Sequence, residues 1–344
     1  MTGLLRRVAP QLLTLLAVLV LVTIFFPGFL SVGVSGDRLV GSPIDVLKRG
    51  APVALLAIGM TLVIATRGID LSVGAVMAIC GASAALAIDQ GWGLGAAIPL
   101  ALAAGLLCGL WNGFLVAVLG IQPIVATLIL MVAGRGIAQL ITEGQILTFS
   151  DPGLAFLGSG TVLGLPAPAW LWIGAGIVAG LVVRRTALGL LIESVGVNLR
   201  ASRLAGVNST VLLLTVYMIS GLCAALAGLI VTGDIRGADA NNAGLWLELD
   251  AILAVAIGGT SLLGGRFSIL ASLIGAMVIQ SINTGILLAG FPPEFNLVIK
   301  AALVLLILML QSPRLGDLAA GMSLRRRRAD EAAAAPRVLP EVRQ

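Results

Sequence analysis

The sequence predicts an all-α fold: a polytopic integral membrane protein of about ten transmembrane helices, some of them broken, with both termini cytoplasmic. Three observations lead there. The 344 residues are 59% hydrophobic and only 11% charged, with a mean hydropathy of +1.10. A water-soluble domain of this length carries far more surface charge. Apolar runs of span length recur along the chain, continuous rather than alternating, which excludes an outer-membrane barrel. The charged segments between runs alternate in sign, as expected of loops on opposite sides of a bilayer.

In chain order the runs cover 11–30, 51–66, 71–88, 94–119, 123–142, 168–183, 211–232, 249–263, 267–289 and 295–312. The first follows Arg6 and Arg7 like a signal peptide. Its uncharged stretch outlasts the ~7–15 residues of such a segment, and no small-residue cleavage site follows, so it is read as an uncleaved span. In the fourth run Ala97, Ala101, Gly105, Gly109, Gly113 and Ala117 recur every four residues. This stripe lets another backbone approach closely, either within the subunit or between subunits. After the sixth run Arg184, Arg185, Arg200 and Arg203 stand against Glu193. After the seventh, Asp234, Asp239, Glu248 and Asp250 stand against Arg236, and the 143–167 loop holds Glu143 and Asp151 with no base. The tail from Pro313 is rich in arginine. Ten spans with both ends inside place all four segments on the expected side. Lys48 and Arg49 then lie outside, nearly balanced by Asp37 and Asp45. Residues 1–312 form the membrane domain, with 184–210 as its long inner segment, and 313–344 are read as a disordered basic cytoplasmic tail.

The second and third runs need a break. Ala51 to Ile88 is 38 residues, about 57 Å as one helix. That is too long for one span and short for two with a loop. The sequence Arg67-Gly68-Ile69-Asp70-Leu71-Ser72-Val73-Gly74 marks the interruption. Irregular backbone at such depth is tolerated where it is enclosed by protein or lines a cavity. A buried charge there costs about 2.5–3.5 kcal/mol on insertion scales. Asp70 fits an N-cap for a helix starting at Leu71, and Arg67 is placed to pair with it. Direct contact with cargo is the other role open to Asp70. A second Gly-rich break runs from Gly258 to Arg266, with Ser268 able to cap the following helix; the two breaks hint at a duplicated half.

Several chemistries are excluded. There is no histidine, hence no imidazole base, metal ligand or pH switch. Cys80, Cys108 and Cys223 lie in apolar runs without ligand spacing, so neither disulfides nor a metal site is expected. No nucleophile–base pair supports an intramembrane enzyme. The only lysines, Lys48 and Lys300, are not in a phosphate-binding loop. Arg325–Arg328 reads as a cytoplasmic anchor beside the lipid rather than a nucleic-acid patch.

The inner segment from Thr186 to Val211 carries a short amphipathic helix in which Ala201, Leu204 and Ala205 share a face beside Arg200 and Arg203, ended by Gly206. It suits either a soluble partner or the membrane surface. This segment resembles the coupling segment of bacterial ABC sugar-importer permeases of the ribose/xylose/galactofuranose family. Gly68–Gly74 resembles that family's hallmark. So does Glu248-Leu249-Asp250-Ala251-Ile252 followed by Ile257–Gly265. The likeness spans roughly residues 40–312. Within it, 41–45, 122–136 and 234–246 are similar to the galactofuranose branch. Arg67 departs from the pattern, which has a small residue there.

The resemblance implies a permease subunit in the bacterial inner membrane that moves a sugar, galactofuranose before ribose, xylose or another monosaccharide, by alternating access. It implies no cofactor on this chain. ATP and Mg would sit on a separate ABC ATPase subunit, beside a second permease subunit (a paralogue or a second copy) and a periplasmic sugar-binding protein. Glu193, Gly196, Asn198, Ala201, Leu204 and Gly206 would couple to the ATPase. The acidic loop with Asp234, Asp239 and Glu248 would face the binding protein. Asp70, Asn112, Gln122, Gln139, Gln280 and Asn283 are candidate pathway residues, with interhelical hydrogen bonding as the other role open to each amide. An ATP-independent secondary transporter is the rival reading; the shortage of midplane acids for ion coupling stands against it.

Overall fold

Hydropathy and helix propensity produce fourteen helices in the computed structural model, which describes residues 2–290 and 293–310. They are α1 (Thr2–Phe25), α2 (Ser42–Arg49), α3 (Ala51–Ala65), α4 (Val73–Asp89), α5 (Leu94–Ala117), α6 (Pro123–Ile141), α7 (Pro152–Ser159), α8 (Ala167–Arg185), α9 (Leu188–Val197), α10 (Leu199–Leu204), α11 (Ser209–Ile235), α12 (Leu247–Ile257), α13 (Ile269–Leu288) and α14 (Pro293–Leu310). The tail 313–344, with Arg325–Arg328, lies outside the described residues. The chain to Lys300 forms one compact unit; from Ala301 a second begins, of which the end of α14 is described. Three short antiparallel ribbons decorate the loops: Gly33–Ser35 with Arg38–Val40, Leu147–Thr148 with Gly237–Ala238, and Thr161–Val162 with Leu165–Pro166.

Among the described residues, six helices are long and apolar enough to cross a membrane: α1 from Val8, α5, α6, α8, α11 and α13. A seventh is reached if α2 and α3, bent by 44°, count as one broken span. The sequence runs at 71–88 and 249–263 are shorter as helices. α4 has 17 residues and α12 only 11, because the chain leaves the helix at Gly258. Hydropathy counts Gly258–Leu263 as span, whereas Gly259 and Gly264 adopt left-handed φ values of +78° and +81° and unwind it.

The centre is α3. Every residue from Ala51 to Ala65 is buried, as suits a helix apolar on all sides. It packs against α11, α12, α13 and α8. The broken segment that follows is therefore enclosed by protein, which tolerates irregular backbone at depth. The small-residue stripe of α5 packs within the chain. A Cβ on Gly105 would meet the Gly221 carbonyl, and one on Gly109 the Tyr217 carbonyl, both on α11. Of the two roles for the stripe, close packing inside the subunit is the one seen.

Candidate functional site

The break after α3 begins as a helix C-terminus. Gly68 N–H donates to the Val63 carbonyl (3.0 Å) and Arg67 N–H to the Ile64 carbonyl (2.9 Å). This pair is the Schellman arrangement, and it puts Arg67 at the left-handed position, φ 66°, where glycine is usual. Gly68 itself is required: a Cβ would press on the Tyr217 hydroxyl and on Val63.

Two residues later the chain ties a polar knot. Asp70 Oδ1 accepts from the Ser72 N–H (3.0 Å) and the Ser72 hydroxyl (2.6 Å), and Oδ2 accepts from the Ser220 hydroxyl on α11 (2.9 Å). Asn112 Nδ2 on α5 donates to Ser72 Oγ (2.8 Å). Thr127 on α6 accepts from Leu71 N–H (3.1 Å). One buried carboxylate thus gathers α4, α5, α6 and α11 around the break. The geometry corrects the capping expectation. Helix α4 starts at Val73 with Ser72 as its first flanking residue, and Asp70 holds Ser72 through an Asx-type turn. It also corrects the pairing: among the described residues Asp70 forms no ion pair. Arg67 turns the other way, and its Nη2 donates to the Val197 carbonyl at the end of α9 (2.6 Å).

That contact belongs to a three-way junction. Gly265 N–H, in the second break, donates to the Ala65 carbonyl at the end of α3 (2.9 Å). Gly196 of α9 is buried against both groups, and a Cβ there would overlap the Ala65 carbonyl. The two breaks and α9 meet at one point. On the outer side of this segment Leu204 is 91% exposed and Leu263 81%, with Leu190 and Val197 also exposed. A cavity of about 710 Å³ opens between the first break, the α5–α6 turn and the α9–α11 region, lined by Thr66, Arg67, Gln122, Arg203 and Tyr217. The Tyr217 hydroxyl is buried without a hydrogen-bond partner among the described residues.

The pattern of a known family covers this arrangement. Residues 42–308 match the branched-chain amino acid transport system, permease component family. The chain belongs to that permease family. It is 60% identical to the galactofuranose transporter permease protein YtfT of Escherichia coli K12, over 92% of this chain and 93% of that protein. It is 41% identical to the fructose import permease protein FruF of Bifidobacterium longum, over 92% and 90%. Against the ribose import permease protein RbsC of Haemophilus influenzae it is 37% identical, over 88% and 92%. No solved structure matches. The family read from Gly68–Gly74 and Glu248–Gly265 is thereby shown.

Within the permease, the residues that the resemblance sets in the coupling segment divide. Asn198 caps α10 by accepting from Ala201 N–H (3.0 Å), and Gly206 ends it at φ 87°; with Ala201 and Leu204 they lie on the exposed surface. Glu193 is half-buried beside a second cavity, about 720 Å³, lined by Arg184, Phe267 and Ser268 among others. Gly196 faces inward, against the helix break.

The candidate pathway residues divide too. Asp70 and Asn112 join the knot and Gln122 rims the cavity. Gln139 donates instead to Asn241 (2.7 Å) in the loop after α11. Gln280 lies beside Gly50, at the end of α3 away from the break, and Asn283 has a buried, unpartnered Oδ1 on the same helix α13.

In the acidic loop, Asp234 pairs with Lys48 (2.6 Å). Asp239 accepts from Asn242 Nδ2 (2.7 Å) and from the N–H groups of Asn241 and Asn242. These bonds, the Asn242 amide first, hold its carboxyl below the usual range. Glu248 is buried beside Gly74 rather than displayed. Sequence reasoning gave no role to Ser72, Thr127, Ser220 or Tyr217. It also missed the buried pair of Lys300 with both oxygens of Asp250 (3.0 Å each). The signal was present: a lysine inside an apolar run requires a counter-charge.

Proposed function

We propose that this chain is the transmembrane permease subunit of an ABC importer that moves a sugar, galactofuranose, across the bacterial inner membrane. The observation that carries the reading is the junction of Ala65, Gly196 and Gly265. A push on the exposed face of α9–α10 acts directly on both broken helices, and through Gly68 on the Asp70 knot and the cavity beside it. Alternating access needs such a link between an outer surface and a pathway.

ATP and Mg are held by a separate ATPase subunit, which docks on Leu190, Val197, Asn198, Ala201 and Leu204. A second permease copy or paralogue completes the pore. A periplasmic binding protein docks beside the loop containing Asp234 and Asp239. In this reading the chain crosses the bilayer about ten times with both termini inside, short helices α3, α4 and α12 being completed by their breaks. The polar pathway stays low in affinity, since a tight site would slow release.

Cargo rests on the 60% identity to the galactofuranose permease. The test is to co-purify the chain with its binding protein and measure that protein's melting temperature against a sugar panel. Stabilisation by galactofuranose supports the reading. Stabilisation by fructose or ribose alone moves the cargo but keeps the importer. Stabilisation only by branched-chain amino acids overturns the sugar class, and uptake that survives ATP depletion overturns the importer.

A further inference from the structure

We propose that Arg67 is the positioning residue through which movement of α9 is passed to the Asp70 knot. The inference rests on the importer reading above. Arg67 occupies a backbone site, φ 66°, where glycine is favoured and an arginine is strained. The side chain does two visible things: its stem lies beside Gly264 in the second break, and its guanidinium, exposed rather than buried, donates to the Val197 carbonyl at 2.6 Å. Val197 is the last residue of α9, so a cation meets the negative end of that helix.

On the other side of Arg67, Gly68 is buried and has no room for a side chain, since a Cβ would meet the Tyr217 hydroxyl and Val63. Asp70, two residues further on, is held by Ser72 and Ser220. In this proposal a displacement of Val197 passes through Arg67 into that closely packed stretch. The comparable helix end at Gly206 has the same backbone hydrogen bonds, Gly206 N–H to Arg203 and Val207 N–H to Ser202, and needs no side chain. Helix termination thus demands the left-handed geometry but not an arginine in it.

The test reconstitutes the full chain with its ATPase and binding protein in liposomes and reads galactofuranose moved per ATP hydrolysed. Arg67→Gly suits φ 66°, so folded yield and melting temperature should hold or rise. Galactofuranose moved per ATP should fall at least ~5-fold, the low end of usual coupling factors, while ATPase activity without sugar persists. Arg67→Met keeps the stem beside Gly264 and should show the same loss; Arg67→Lys, which can still donate, should retain most of the ratio. An unchanged ratio in the Gly and Met variants overturns the assignment. Loss of folded protein in both also overturns it, making Arg67 a structural residue. Absence of ATP-driven uptake in the unaltered protein is a different result, which sinks the importer reading itself.

Discussion

The two helix breaks solve the same problem by different means. The first, Thr66–Ser72, is short and fastened by side chains: Asp70 is only 2% exposed, and its two oxygens accept three hydrogen bonds. The second, Gly258–Ser268, is longer and fastened largely through its backbone, with Gln11 donating to the Gly258 carbonyl (3.1 Å). Gly265 reaches the Ala65 carbonyl, Gly259 and Gly264 take left-handed conformations, and the buried Thr260 hydroxyl has no partner among the described residues. The first is a keyed joint with a defined position. The second is tied to it, since Gly265 is bonded to the end of α3.

The largest expected effect lies in the helix that leads into the second break. Lys300→Met leaves Asp250 buried without its counter-charge and should cost about 3–5 kcal/mol. Chemical denaturation in detergent measures it. The double replacement with Asp250→Leu should recover most of the loss; no recovery would mean that the ion pair does not organise this region. Next comes the point where the breaks touch. Gly196→Ala drives a methyl into the Ala65 carbonyl and should destabilise by about 1–3 kcal/mol, as overpacking does. Sugar-stimulated ATPase activity should fall with it, and an unchanged rate would remove α9 from the coupling path.

A matched pair of substitutions then separates the breaks. Asp70→Asn keeps the shape and loses a charged acceptor, at about 1–3 kcal/mol, with slower transport. Thr260→Val removes an orphan hydroxyl and should be neutral or stabilising by up to about 1 kcal/mol. Equal losses at both positions would break the distinction between keyed and tied joints. Full transport in Asp70→Asn would show that geometry rather than charge is used.

The smallest effect is one of pH in the acidic loop. The folded-state pKa of Asp239 is lowered by its hydrogen bonds to Asn242 and Asn241. Its contribution is therefore complete above the unfolded value of about 3.9 and is lost only as pH falls through the lowered one. Hydrogen exchange across 239–246 should be flat from pH 8 to 5 after correction for intrinsic rates. Asp239→Asn should raise it throughout that range.

Much of this was written in the order of residues, and some was not. The helical fold, the break at Gly68 and the importance of Asp70 follow from hydropathy, span length and the cost of a buried charge. The partners of Asp70 do not, because Ser220 is 150 residues away and serines in apolar helices look inert. The proximity of Arg67 suggested an ion pair, yet the left-handed turn at Arg67 sends its side chain to a carbonyl 130 residues distant. The resemblance sets Gly196 in the coupling segment, and there it is buried, because only glycine allows α9 to touch the end of α3. The run at 249–263 is helical only to Ile257, since hydropathy is blind to the positive φ values of Gly259 and Gly264.

The Asp250–Lys300 pair has a consequence for how the protein is made. The aspartate leaves the ribosome 50 residues ahead of its lysine, a wait of about 2.5–10 s at ordinary synthesis rates. Throughout that interval the nascent chain holds a lone carboxylate destined for the interior. Its partner arrives only with α14. A chain truncated before Lys300 never acquires the answering charge, so the arrival of α14 is itself written into the packing of the permease.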